Sequence, residues 1–257
     1  MAKQLLIYER AVPVNSGQHG DLSVKSGADY GFARGVNSVP LMAAEFESAC
    51  GEYAIVFAGQ GKEITPVALL GVRDNENLYV DAKGAWNAKY IPAFVRRYPF
   101  VFSRDDKGET FTLCVDEEFH GVNRAGLGER LFDAAGERTQ YLKTVLGFLQ
   151  AYEAQFEATG AFCRRLLELN LLEPMRADFT LRSGRRLTMG GFMSVNRDRL
   201  RALSGEALAR LAAPGELDLI YAHLHSQRNF SATADRALDT APVPEAASAG
   251  AANGAAA

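Results

Sequence analysis

The sequence predicts an α+β fold: a mainly antiparallel sheet from the first half, packed against helices of the second half, with a late β-hairpin. Three observations carry this expectation. Five short runs rich in β-branched and aromatic residues fall between residues 53 and 116, separated by turn-forming segments. Beyond residue 128 the spacing of apolar residues changes from alternation to the helical period. Further on, "MRADFTLRSGRRLTMGGFMSV" alternates again and reads as a hairpin around Ser183-Gly184.

Taken in order, residues 1 to 37 are rich in Gly, Ser and polar side chains. Gly27, Gly31 and Gly35 recur every fourth residue, but no Gly-Lys-Ser/Thr follows, so this is an irregular lead-in and not a phosphate loop. "NSVPLMAAEFESAC" looks like a helix start: Ser38 can cap, Pro40 suits a first turn, and Leu41, Ala44 and Phe46 mark an apolar side. "YAIVFAG" and "ITPVALLGV" flank the turn-prone "GQGKE"; "NENLYVD" follows; "YPFVFS" and "TFTLCVD" flank "RDDKGE". These five runs are expected to form one sheet.

Leu142, Val145, Leu146, Leu149, Tyr152 and Phe156 then share one helical stripe. Gly160 is expected to end or kink that helix, with "FCRRLLELNLL" as a second one. Asn196 opens a Leu-rich helical region divided by Pro214-Gly215, and the hairpin is expected to be an appendage. Residues 1–236 read as a single domain. Residues 237–257 are almost entirely Ala, Pro, Gly and Ser and are expected to stay disordered, having too little side chain to bury.

Composition narrows the function classes. The chain has 257 residues, 47 % apolar and 23 % charged, with a net charge of −3. That is ordinary for a globular protein and gives no bulk attraction for polyanions. Cys50, Cys114 and Cys163 lie far apart and form no CxxC pair, so they read as buried free thiols and not as a disulfide or zinc framework. The apolar patch Leu5–Tyr8 is too short for a signal peptide, and no run approaches a membrane span. A cytoplasmic location is the expectation, with surface association open through a signal-independent export route.

Candidate chemistry is sparse. His223 and His225 lie two apart on a predicted helix and point to different sides, so they do not chelate one metal; no metal and no cofactor is expected. No Gly-x-Ser-x-Gly elbow exists. "DEEFHG", Asp116 to Gly121, reads as an exposed acidic turn. "GLGER" lacks the βαβ context of a dinucleotide site.

Two segments stand out. "GAWNAKYIPAFVRRYPFVF" holds the only tryptophan, with Trp86, Tyr90, Phe94 and Tyr98 spaced by four. Pro92 and Pro99 confine any helix to a single short turn, after which Phe100 and Phe102 alternate as on a strand. The rings are expected mainly to cement a core junction, with Trp86, Tyr90, Arg96 and Arg97 as the candidate ligand rim. Adjacent arginines on a helix diverge by about 100°, so at most one of Arg96 and Arg97 is expected to turn inward. The second segment, residues 161–210, has ten arginines, no lysine and five acids. Arg176, Arg182, Arg185 and Arg186 crowd the hairpin and could grip nucleic acid, a phosphosugar or an acidic partner, unless acids of the first half neutralise them.

"YIPAFVRRYPFVF" resembles the signature of the SapC family, bacterial proteins named for a link to a paracrystalline surface layer. The likeness extends to "VPLMAAEF", "YAIVF", "PVALLG", "GERLFDAAGERTQYL", "GGFMSVNRDRLRALS" and "LDLIYAHLHSQRNF", from about Val36 to Phe230. It implies a non-enzymatic accessory or binding protein tied to surface-layer or envelope function and carries over no catalytic residues. The expected binding surface is Trp86, Tyr90, Arg96 and Arg97 together with Arg182, Arg185 and Arg186. The expected partner is a protein, or an anionic or saccharide ligand; nucleic acid is not expected. The alternative is a cytoplasmic enzyme or sensor that binds a sugar or anionic metabolite beside Trp86.

Overall fold

The computed structural model describes residues 6–27, 29–61, 63–104, 110–180 and 186–237. In chain order the strands are β1 (Ala11–Pro13), β2 (Ser23–Val24), β3 (Ser38–Pro40), β4 (Ile55–Gln60), β5 (Glu63–Leu69), β6 (Phe100–Arg104), β7 (Phe111–Asp116), β8 (Val122–Asn123), β9 (Glu129–Arg130), β10 (Leu172–Thr180) and β11 (Arg186–Val195). The helices are α1 (Ser16–His19), α2 (Phe46–Ala49), α3 (Ala93–Arg96), α4 (Gln140–Glu168), α5 (Arg197–Arg201), α6 (Gly205–Ala212), α7 (Glu216–Ser226) and α8 (Asn229–Arg236).

The α+β class holds, but the first-half strands do not make one sheet. The central sheet has the order β10-β11-β4-β5-β3, and β6 and β7 pair instead with β1 in a separate sheet. "NENLYVD" forms no strand; its Val80 makes one isolated bridge to Trp86. The late hairpin is a full member of the central sheet, because Phe192 and Met193 of β11 pair with Ala58 and Phe57 of β4. Its predicted turn at Ser183-Gly184 lies outside the described residues, as do residues 238–257.

Alternation along β4 explains the layering. Ile55 and Phe57 enter the larger core, whereas Ala54, Val56 and Ala58 belong to a second one on the opposite face. On the larger side α4 lies against β5 and α7 against β4. On the other side Phe230 of α8 meets the rings of Phe179 and Phe192 from the hairpin. The β4–β5 hairpin turns tightly because Gly59 sits at φ +123°, where an added Cβ would come within 1.9 Å of the Glu63 carbonyl oxygen.

Two local expectations were overturned. Ser38–Pro40 is a strand paired with Val67–Leu69, and the helical turns begin only at Ala43. A Ser-x-Pro start is compatible with either state locally; the pairing with β5 decides it. Gly160 neither ends nor kinks α4, which runs unbroken for 29 residues. A glycine inside a helix costs only about 1 kcal/mol. Burial of Leu149 and Tyr152 before it, and of Phe162, Cys163 and Leu166 after it, outweighs that. Asn196 does cap α5, its side chain accepting from Arg199 N–H, and Gly215 at φ +78° separates α6 from α7.

One buried histidine stands in for missing ladder bonds. The β11–β4 pairing covers only two residue pairs before the strands diverge. Where it stops, His223 of α7 takes over: Nδ1–H donates to the Ile55 carbonyl at 2.9 Å, and Nε2 accepts from Val195 N–H at 3.1 Å. Ser226 Oγ accepts from Ile55 N–H at 3.0 Å. Burial pushes the His223 pKa down to about 4, with the Ile55 bond opposing and Arg197 adding to the shift. The folded pKa lies below the unfolded one, so this stability is complete above pH ~6.5 and is lost as pH falls toward 4. The expected loss is on the order of 3 kcal/mol. Urea unfolding across that window checks it, and His223→Gln flattens the slope.

Candidate functional site

The aromatic corner is built where α3 joins the strands. Pro92 caps α3, and Tyr98 and Pro99 lead into β6. Val95 and Phe94 face the core, so the two arginines that follow must part. Arg97 is buried at 2 % exposure, and Arg96 is exposed. The guanidinium of Arg97 lies over the rings of Phe94 at 4.4 Å and Tyr152 at 4.8 Å. It is a packing cation beneath the corner and lines no outer surface.

Trp86 and Tyr90 are half-buried and meet through Tyr53. The indole N–H donates to the Tyr53 hydroxyl at 2.8 Å, and that hydroxyl donates to the Tyr90 carbonyl. The Tyr90 hydroxyl donates to Glu45 Oε1 at 2.7 Å. Glu45, itself buried, also accepts from Ala93 N–H at 2.7 Å and from Met42 N–H at 2.8 Å. Burial raises the pKa of the Tyr90 phenol, and the Glu45 carboxylate raises it further. Tyr90 therefore remains a neutral donor.

Asp116 corrects the expectation of an exposed acidic turn. It is fully buried at the end of β7. Oδ1 accepts from Arg10 N–H at 3.0 Å and Glu118 N–H at 3.2 Å. Oδ2 accepts from Glu9 N–H at 2.8 Å and from the Tyr98 hydroxyl at 3.1 Å. Its neighbour Glu117 meets the buried His19 Nε2 at 3.1 Å and Arg10 at 2.7 Å. His223 and His225 do diverge on α7, the first buried and the second exposed. Cys114 and Cys163 are buried thiols, with Cys163 pushed by burial up to about 12; Cys50 is only half-buried.

Outside the corner the chain forms a small cavity of about 220 Å³, lined by Ser26, Gly27, Tyr30, Phe32, Val95, Arg96, Tyr98 and Phe119. Trp86 is one ring away, edge-on to Tyr30 with centroids 5.7 Å apart. The structure thus brings Trp86, Tyr90 and Arg96 to one region and withdraws Arg97 beneath it. Tyr30, Phe32, Tyr53, Glu45 and Phe119 are participants that the sequence reading missed. Tyr30 and Phe32 sit in the "GADYGFARG" stretch, where the glycine spacing drew attention away from the rings.

Of the hairpin arginines, Arg182 and Arg185 lie outside the described residues. Arg186 opens β11 and is exposed. Arg176 is 68 % exposed at its side chain and donates to Asp178 and Thr188 on the outer face. Among the described residues, three more arginines of the 161–210 stretch pair with acids of the second half: Arg165 with Glu216, Arg201 with Asp198, and Arg210 with Glu206.

The sequence model of the SapC family matches residues 14–232. The chain belongs to the SapC family. Among curated proteins and solved structures nothing matches this SapC chain. The matched span includes the aromatic corner, the cavity and the hairpin. Among the described residues no helix is long and apolar enough to cross a membrane.

Proposed function

We propose that this chain is a non-enzymatic accessory protein of the SapC type, serving a surface-layer or envelope function by binding a protein partner. Residues 1–236 act as one domain in this reading. The observation that carries it is the engagement of the charged groups at the aromatic corner. Glu45 holds three donors, Asp116 holds four, and Arg97 lies beneath rings. Groups committed in this way position structure and do not exchange protons with a substrate. The hairpin offers the contrasting surface, with Arg176 and Arg186 turned to solvent and Arg182 and Arg185 between them in sequence. Such a face suits an acidic partner, with the aromatic rim of Trp86, Tyr90 and Arg96 as a second contact.

The test is cross-linked pull-down of the tagged full chain from its native cell, with Arg176→Glu/Arg186→Glu in parallel. One envelope protein is expected in stoichiometric amount, lost in the double variant and at raised salt. Recovery of the chain alone, with a co-purifying metabolite, would overturn this reading. A second reading, a sensor for a small ligand beside Trp86, is favoured by one observation: the cavity that Arg96 and Tyr30 share.

A further inference from the structure

The geometry points to this cavity as a binding site for a small aromatic carboxylate, one planar ring bearing a single anionic group held by Arg96. The inference rests on the small-ligand reading and sharpens it.

The first ground is shape and lining. The floor is a stacked pair, Phe32 and Tyr98, with centroids 4.1 Å apart. Phe119 stands edge-on to both, at 6.1 Å from Phe32 and 5.0 Å from Tyr98. Tyr30 closes one side. Four rings around about 220 Å³ leave space for one further ring with a short substituent. A ring slotted here makes offset or edge contacts to several neighbours at once.

The second ground is the charge. Arg96 lines the cavity, and among the described residues no carboxylate pairs with it. Its Nε donates to the Ile91 carbonyl at 2.9 Å, and its guanidinium lies 5.8 Å from the Tyr90 centroid and 5.4 Å from that of Phe148. The tether, the two rings and the neighbouring Tyr90 hydroxyl fix the side chain, and its guanidinium stays at the border of the cavity. A fixed guanidinium at the rim of an aromatic slot is matched by a carboxylate, which takes two parallel N–H donors.

The third ground separates this class from saccharides. A sugar needs several hydrogen-bonding groups around its ring, or its hydroxyls lose water without replacement. The hydroxyls of both lining tyrosines are already in use: that of Tyr98 donates to Asp116, and that of Tyr30 donates to the Gly27 carbonyl at 3.3 Å. Besides the Ser26 hydroxyl, the lining side chains then offer one cation and apolar ring surface.

Trp86 supplies a reporter. It is the only tryptophan, and it touches Tyr30 from behind the cavity wall. Benzoate, benzyl alcohol and methyl glucoside are titrated against the full chain, reading Trp86 emission and ring-proton NMR shifts. Benzoate is expected to saturate the signal, and benzyl alcohol to bind about tenfold more weakly, the factor that a lost ionic hydrogen bond of ~1.4 kcal/mol gives. Arg96→Gln is expected to weaken benzoate by about the same factor and to leave benzyl alcohol unchanged, with Arg96→Lys between the two. Arg96 is exposed, so its variants retain the fold. Equal binding of benzoate and benzyl alcohol, or an Arg96→Gln protein that binds benzoate normally, overturns the inference. Tightest binding of methyl glucoside overturns the ligand class while the small-ligand reading stands. Silence from all three probes removes the inference and leaves the partner-capture result untouched.

Discussion

Asp116→Ala is expected to destabilise the fold by roughly 4–5 kcal/mol, read as a shift of the urea midpoint. The carboxylate is fully buried and takes four donors from three parts of the chain: Glu9 and Arg10 before β1, Tyr98 before β6, and Glu118 after β7. Alanine leaves those donors without an acceptor in a place that water does not reach. Hydrogen bonds to a charged acceptor contribute about 1.5–3 kcal/mol each, and they are not additive when they share one atom. Asp116→Asn retains one oxygen but turns an amide N–H₂ toward donors, so its expected loss is intermediate, about 2–3 kcal/mol. The damage should be local first. Backbone amides of residues 9–14 exchange faster in the variant, because this carboxylate receives the Glu9 and Arg10 amides at the entry to β1, beside the Arg10–Glu117 ion pair and the β7 ladder. A midpoint unchanged within error would show that Asp116 does not anchor the N-terminal segment.

Glu45→Ala is expected to cost about 4 kcal/mol by the same measurement. Its carboxylate joins the start of the turn before α2 to the start of α3 and to Tyr90. Removing it frees three donors and loosens the platform on which the corner rests. Glu45→Gln retains acceptance at one oxygen and is expected to lose about half as much. The two variants separate the acceptor role from the charge, and equal losses would refute that division. If Glu45 organises the rim, Glu45→Gln also shifts Trp86 emission, since Tyr90 and Trp86 meet at the Tyr53 hydroxyl.

Much of this molecule was legible one segment at a time. The stripe from Leu142 to Phe156 lies on α4, and Pro92 with Pro99 bounds α3 to one turn. The divergence of Arg96 and Arg97 follows from helical geometry alone. So does the separation of His223 from His225. Errors appeared where a distant segment competes with a local preference. Ser38–Pro40 has the look of a helix cap until β5 pairs with it. Gly160 looks like a break until both halves of α4 are buried against one core. The acidic "DEEFHG" reads as a solvated turn because nothing nearby in sequence reveals that the amides of Glu9 and Arg10 arrive to receive Asp116.

The candidate site divides in the same way. Its ring content was visible in "GAWNAKYIPAFVRRYPFVF", and so was the limit of one inward arginine. The cavity was not, since its floor joins Phe32, Tyr98 and Phe119 from segments 21 to 87 residues apart. Amino-acid order alone settled the periodicities, the helix boundaries set by proline and asparagine, and membership in a family. Folding in three dimensions settled which strands share a sheet, which charges are enclosed, and which guanidinium borders the cavity. The reason is physical: hydrogen-bond period and backbone sterics act over a few residues, whereas burial and pairing depend on whatever the rest of the chain brings alongside.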